Sequence, residues 1–314
     1  MDKKIKLGLI GFGNMGTGHT ENIMGGKCPE VELVAICDIN PARIDYCKSQ
    51  YPDANFAYFT DAIEMLDSGL IDSCLVAVPH YDHTKYSIEC MKRGIHVMCE
   101  KPAGVYTKQV REMIAESEKH PEVVFGMMFN QRTNPVYRKM HELVHSGKYG
   151  EIRRTNWLIT NWFRSQAYYN SSDWRATWAG EGGGVLLNQC PHQLDLWQWI
   201  CGMPVKVLSK IKYGKWHDIE VDDDVTTYVE YANGATGTFI TTTGDGMGTN
   251  RFEIQMDKAK LVVEDDKLSV YEFEMSVDEF NKTNTNVFGN IKTTKVDVEL
   301  EGENSQHSGV LNAW

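Results

Sequence analysis

Up to about residue 130 the chain alternates two kinds of segment. Near-continuous apolar runs at 5–10, 31–38, 72–79, 95–99 and 123–129 have the composition of strands buried on both faces. Between them, stretches such as 82–93 and 107–119 space apolar residues three and four apart among charged ones, the period of an amphipathic helix. Strict alternation of strand and helix predicts a doubly wound α/β domain over 1–130. Beyond 130 the rhythm changes. One helix is expected over 135–146, and another from about 184 to 200, stopped by Gly202 and Pro204. From 205 to 300 the chain reads as strands and turns, with Asn233-Gly234 as a hairpin signal between two of them. The second domain, 131–314, is thus expected to be α+β with a large, mostly antiparallel open sheet. Residues 307–314 read as the start of a helix. That leaves two readings, a chain cut short of its natural C-terminus or an end disordered beyond 314.

Composition narrows the class. Net charge is −11, from 32 basic and 43 acidic residues, which argues against nucleic acid or an anionic membrane as partner. The eight cysteines form no CxxC pair and several sit inside strand patterns, as reduced, buried thiols do. No leader and no apolar run of bilayer length is apparent, so a cytoplasmic protein is expected.

The first apolar run ends in Gly11-Phe12-Gly13-Asn14-Met15-Gly16. One glycine of such a loop makes a tight turn, one admits a pyrophosphate, and one packs helix on strand. The helix that follows offers unpaired N–H groups to phosphate. Asp38 closes the second run about twenty residues later, where a ribose-binding acid belongs. Strand, turn, helix, strand and acid in this order predict a dinucleotide (Rossmann) domain. Asp38 favours NAD over NADP. Arg43, five residues on, is the residue that would instead pair with a 2′-phosphate.

Two strand ends point at the same crevice, since ligands of open α/β sheets bind at the carboxyl ends of strands. One carries Pro79, His80 and His83. The other carries Glu100, Lys101 and Pro102. A lysine there is either functional or paired with Glu100 or another acid. In the second domain a glycine-rich stretch leads into Asn188, His192 and Asp195. On one helix Asn188 and His192 would share a face. His192 is then either a proton-exchanging group or a buried histidine satisfied by Asp195. Residues 157–178 interleave Trp157, Trp162, Trp174 and Trp178 with Arg164, Arg175 and tyrosines. This composition suits a polyhydroxylated ring, or core and interface packing. No metal signature is present: His141 and His145 lie on a polar helix without a third ligand, which reads as a solvated face.

With these motifs the chain resembles the glucose–fructose oxidoreductase/inositol dehydrogenase (Gfo/Idh/MocA) family across nearly its whole length. The resemblance rests on the loop at 11–16, Asp38, Pro79 with His83, Glu100-Lys101-Pro102, and the glycine-rich helix with His192. It implies that Lys101 contacts the reacting hydroxyl and nicotinamide, and that His192 is the general acid/base. It also implies a tightly held nicotinamide cofactor and homodimers or homotetramers formed through the open sheet. Asn188 stands where many family dehydrogenases carry aspartate; an amide can hydrogen-bond substrate but cannot take a proton. The expected cofactor contacts are Gly11, Phe12, Gly13, Asn14, Met15, Gly16, Asp38, Arg43, Pro79, His80, His83, Glu100, Lys101 and Asn130. The expected substrate contacts are Trp162, Trp174, Arg175, Asn188 and His192. The function so implied is NAD-dependent oxidation of a secondary hydroxyl of a sugar, glycoside or inositol. Two alternatives stand beside it: a redox-neutral, NAD-assisted elimination, and a non-catalytic NAD-binding sensor.

Overall fold

The computed structural model describes residues 4–314. The chain forms two compact units. The first comprises the chain up to Asn130, together with Gly180–Gly182 and Ser305–Trp314. Its elements run β1 (Ile5–Ile10), α1 (Asn14–Met24), β2 (Val31–Cys37), α2 (Pro41–Gln50), β3 (Ala57–Phe59), α3 (Ala62–Asp67), β4 (Ser73–Val76), α4 (His83–Met91), β5 (His96–Cys99), α5 (Thr107–Lys119) and β6 (Phe125–Met127). The strands pair in parallel in the order β3-β2-β1-β4-β5-β6.

Successive residues of the central strands feed opposite faces of this sheet. Cys74, Val76, Val97 and Cys99 enter one apolar core, while Leu75 and Met98 enter the other. Both faces are covered, which is why these strands carry no polar alternation. Helix starts follow local chemistry. Asn40 and Asp61 cap α2 and α3 by accepting backbone N–H groups, and Pro41 occupies the first turn of α2. The three-residue β3 has too few residues to show a period, and the sequence reading missed it.

The second unit comprises Gln131–Ala179 and Gly183–Asn304. It contains α6 (Pro135–His145), β7 (Ile152–Ile159), α7 (Gln166–Tyr169), a π-helical turn at Val185–Gln189, and α8 (Pro191–Cys201). Next come β8 (Lys206–Tyr213), β9 (Asp222–Glu230), β10 (Thr236–Thr242), β11 (Asn250–Met256), β12 (Ala259–Glu264), β13 (Lys267–Phe273), α9 (Val277–Thr283) and β14 (Thr293–Val296). Their order in the sheet is β14-β13-β12-β11-β7-β10-β9-β8. Every pairing is antiparallel except β7 with β10. One face buries Trp157, Phe239 and Phe252 under α6 and α8; the Trp157 and Phe252 rings stack at 4.2 Å. The expected hairpin forms between β9 and β10, with Gly234 at φ 85°.

Four expectations need correction. The boundary near 130 exists, but Ser305–Trp314 folds into the first unit rather than the second. That segment carries α10 (Gln306–Ala313). Leu311 enters the core of the first unit, and the Trp314 indole donates to the Val124 carbonyl at 3.3 Å. The helix expected over 184–200 is broken, because Pro191 has no N–H to continue the ladder. The Cys190 N–H instead bonds Val185 O at 2.8 Å, closing the π turn. Trp157, counted with the aromatic loop, lies on β7 in the core. The His141 ring stacks on Trp199 at 4.0 Å and is part-buried, so that helix face is not wholly solvated. All eight cysteines are free thiols. Among the described residues no helix is long and apolar enough to cross a membrane.

Candidate active site

In the first unit, β1 delivers the glycine loop. Gly11 sits at φ 95°, and a Cβ on it would lie 2.5 Å from Ala77 O at the end of β4. A Cβ on Gly16 would lie 2.0 Å from Gly11 O. These two glycines let loop, strand end and α1 close on one another. A Cβ on Gly13 meets nothing within 4 Å, so there the backbone is open to a ligand. Gly13 is the N-cap of α1, with no side-chain cap and no acid in the first turn. The helix thus begins with uncapped N–H groups and a partial positive charge. Met15 in that turn is exposed.

Asp38 and Arg43 converge on the same loop. The Asp38 carboxylate accepts the Phe12 and Asn40 N–H groups, both at 2.8 Å. Arg43 Nε donates to Phe12 O at 2.7 Å and its guanidinium lies 5.5 Å from the Tyr46 ring. The acid and the arginine, which the sequence places on separate segments from the glycine loop, both hydrogen-bond the loop at Phe12. Open backbone, uncapped helix and adjacent carboxylate together fit a dinucleotide.

Pro79 opens a short turn after β4 that runs into α4. His80 Nδ1 lies 2.9 Å from the Glu181 carbonyl. The His83 ring sits between two carbonyls, with Nδ1 2.6 Å from Pro102 O and Nε2 2.8 Å from Val78 O. It is buried, and burial pushes its pKa down. His83 is therefore a brace joining the Pro79 turn to the Lys101-Pro102 segment, not an open donor to the cofactor.

Glu100 is likewise not at the surface of the crevice. It is 3 % exposed. One oxygen lies 2.6 Å from His19 Nε2 on α1, and the other accepts the Lys101 N–H at 3.1 Å. Burial by itself would raise its pKa. The His19 hydrogen bond and the positive charges of His19, His307 and Lys101 outweigh that and hold it below the usual carboxylate range. The His307 ring of α10 packs edge-on against His19, centroids 5.2 Å apart, and lies 3.2 Å from the buried Asn130 amide. Burial pushes the His307 pKa down. Asn130, expected at the cofactor, belongs to this internal cluster.

The sequence reading missed His19 and His307. The available signal for His19 was its place on the apolar face of α1, with Gly16, Thr20 and Ile23.

In the second unit Asp222 shapes the turn before α8. Its carboxylate accepts the Gly184 and Leu186 N–H groups at 2.8 and 2.9 Å. A Cβ on Gly184 would lie 1.9 Å from Asp222 O, which demands glycine there. Asn188 falls in the π turn and His192 in the first turn of α8, so they do not share one continuous helix. Asp195 turns to another partner. It forms a two-pronged pair with Arg132 at 2.6 and 2.8 Å.

The aromatic loop meets the π turn through Tyr168. Its hydroxyl accepts from Arg175 Nη1 at 2.7 Å, and from Asn188 Nδ2 and Gln189 Nε2 at 3.4 Å each. Arg175 also lies over the Trp174 ring at 4.7 Å. Trp174 is exposed, and Trp162 is part-buried. Tyr168 was not among the expected substrate contacts, yet its hydroxyl joins two of them, Arg175 and Asn188.

Residues 5–127 match the oxidoreductase family with an NAD-binding Rossmann fold, and residues 137–262 match the Gfo/Idh/MocA C-terminal domain. The chain belongs to the Gfo/Idh/MocA family. This Gfo/Idh/MocA chain is 28 % identical over 240 residues to a myo-inositol 2-dehydrogenase of Thermotoga maritima, covering 74 % of the chain and 67 % of that protein. It is similar to the crystal structure of the WlbA dehydrogenase of Chromobacterium violaceum in complex with NADH and UDP-GlcNAcA, with 26 % identity and a TM-score of 0.80. That match covers 90 % of this chain and 81 % of the other. A levoglucosan dehydrogenase in complex with NADH shares the fold, with a TM-score of 0.78 at 20 % identity, covering 94 % of this chain and 80 % of that one. The Gfo/Idh/MocA chain spans between about half and about seven tenths of the length of the curated relatives it matches.

Proposed function

We propose that this protein is an NAD-dependent dehydrogenase oxidising a secondary hydroxyl of a sugar, glycoside or inositol. The observation that carries the reading is the uncapped, Cβ-free start of α1 beside Asp38, in the same unit where Lys101 follows two residues after the end of β5. The myo-inositol 2-dehydrogenase and the NADH- and UDP-GlcNAcA-bound WlbA support it from outside the chain.

NAD, when bound, accepts the hydride that leaves the ring carbon. Lys101 orients the hydroxyl and stabilises the negative charge developing on its oxygen. His192 takes the hydroxyl proton, so that the alcohol becomes a ketone with one hydride and one proton released. Trp162, Trp174, Arg175 and Asn188 orient the ring. Pro79 and His80 border the nicotinamide side, and Asp38 selects NAD by binding the ribose hydroxyls. Copies of the chain associate as dimers or tetramers through the large open sheet, whose edge strand β8 exposes Val207 and Leu208.

The test is an NADH-absorbance screen of the NAD-saturated protein over free hexoses, glucosides and inositols. NADH formation with at least one of them is expected. No NADH from any member would overturn the reading, and turnover without net NADH would replace it with a redox-neutral reaction. Light scattering reads the oligomer, and a monomer would sink the assembly through the sheet.

A further inference from the structure

The loop between β7 and α7 holds a guanidinium whose charge its surroundings do not answer. Among the described residues Arg164 makes no ion pair. Its Nη1 donates to the neighbouring Phe163 carbonyl at 2.9 Å, and its buried Nε–H has no partner. The guanidinium lies 5.1 Å from the Tyr168 ring and 5.8 Å from the Trp162 ring. The Arg175 guanidinium lies 4.5 Å from the same Tyr168 ring. A nearby acid is already committed: Asp223 accepts the Lys215 and Trp216 N–H groups at 2.9 and 2.8 Å and lies 3.1 Å from His217 Nδ1.

Two further groups at this place lack partners. The Trp162 indole N–H is buried without an acceptor. Gln189 is 7 % exposed and its Oε1 is unbonded, although its Nε2 reaches the Tyr168 hydroxyl. A surplus of N–H donors around a charged fork is what an oxyanion uses. A neighbouring amide acceptor is what an adjacent hydroxyl uses.

We propose that the substrate carries an oxyanion, seated on Arg164 against Tyr168, with a ring hydroxyl on Gln189. The chemical class is a sugar bearing either a carboxylate, as in a hexuronic acid, or a phosphate monoester. This rests on the reading of the chain as a sugar or polyol dehydrogenase and narrows its substrate.

The test compares matched neutral and charged sugars on the NAD-loaded chain: glucose, galactose and mannose, their uronic acids and their 6-phosphates. Binding is read by tryptophan fluorescence and oxidation by NADH absorbance. At least one charged member should bind roughly tenfold or more tighter than its neutral parent. Arg164→Gln should erase that advantage, and Arg164→Lys should keep part of it and serves if the glutamine variant does not fold. The carboxylate and phosphate arms separate the two sources. The proposal fails if no charged sugar outbinds its parent, or if Arg164→Gln weakens both alike. Should no sugar yield NADH while Arg164-dependent binding persists, the dehydrogenase reading falls and this one stands. Should neutral sugars be oxidised with no gain from charge, the outcome is reversed.

Discussion

The His19 imidazole and the Glu100 carboxylate meet at 2.6 Å where neither is open to water. One belongs to the helix that starts at the glycine loop. The other immediately precedes Lys101. The contact therefore fixes the phosphate end of the crevice and the lysine relative to each other. Removing one partner strands a buried charge. His19→Leu should cost about 3–5 kcal/mol of stability, read as a shift in urea midpoint. A loss under about 1 kcal/mol would show that the pair is dispensable.

Acid should act on the fold in two stages. Burial lowers the pKa of His83, His141 and His307. Below pH ~6.5 the unfolded histidines take protons that the folded ones resist, so stability falls as pH drops through that value toward the folded pKa values. Glu100, also lowered, contributes stability that is present above ~4.3 and is lost as pH falls through its folded value. Urea midpoints taken from pH 8 to 3 should decline in both windows, and His307→Gln should flatten the upper one. A midpoint that rises from pH 7 to 5 would contradict this.

Asp38 braces the Phe12 amide, and the proposed function gives it the ribose hydroxyls as well. Asp38→Ala should weaken NAD binding and narrow the preference over NADP, because the repulsion of a 2′-phosphate is gone. Calorimetry on both nucleotides decides. NADP binding tighter than NAD in the unaltered chain would show that Arg43, despite its bond to Phe12 O, sets the preference instead.

Lys101→Met and His192→Phe should each lower kcat by roughly 10²–10⁴-fold while leaving NAD affinity nearly intact. On the proposed mechanism both serve the same hydroxyl, so their effects should not multiply in the double variant. Near-full activity in both single variants would remove them from the chemistry.

Tyr168→Phe should raise KM more than it lowers kcat. It releases the Arg175, Asn188 and Gln189 donors from a common acceptor without touching α8 itself. An unchanged KM for every active substrate would make that loop a packing element only.

How far the sequence reaches depends on distance along the chain. The glycine loop, Asp38 and the strand-end position of Lys101 are legible because each is set by neighbours within one β–turn–α step. The His19–Glu100 contact spans 81 residues and leaves no periodic trace. Pro191 did announce the break before α8, but the apolar spacing on either side masked it. β7 reads Ile152-Arg-Arg-Thr-Asn-Trp-Leu-Ile, where Thr155, Trp157 and Ile159 point inward and Arg154, Asn156 and Leu158 outward. Its tryptophan drew the eye to ligand chemistry when alternation was the stronger message.

The return of α10 has a consequence for how the protein is made. Leu311 packs with Met98 and Met128, and Trp314 sits against Gly126. A ribosome that has synthesised residues 1–130 has emitted every strand of the six-stranded sheet but not the side chains that finish one of its faces. That face stays exposed through the synthesis of the whole second sheet, which is a long interval for an apolar surface to wait. The six-stranded sheet is thus completed only after the eight-stranded one has been made.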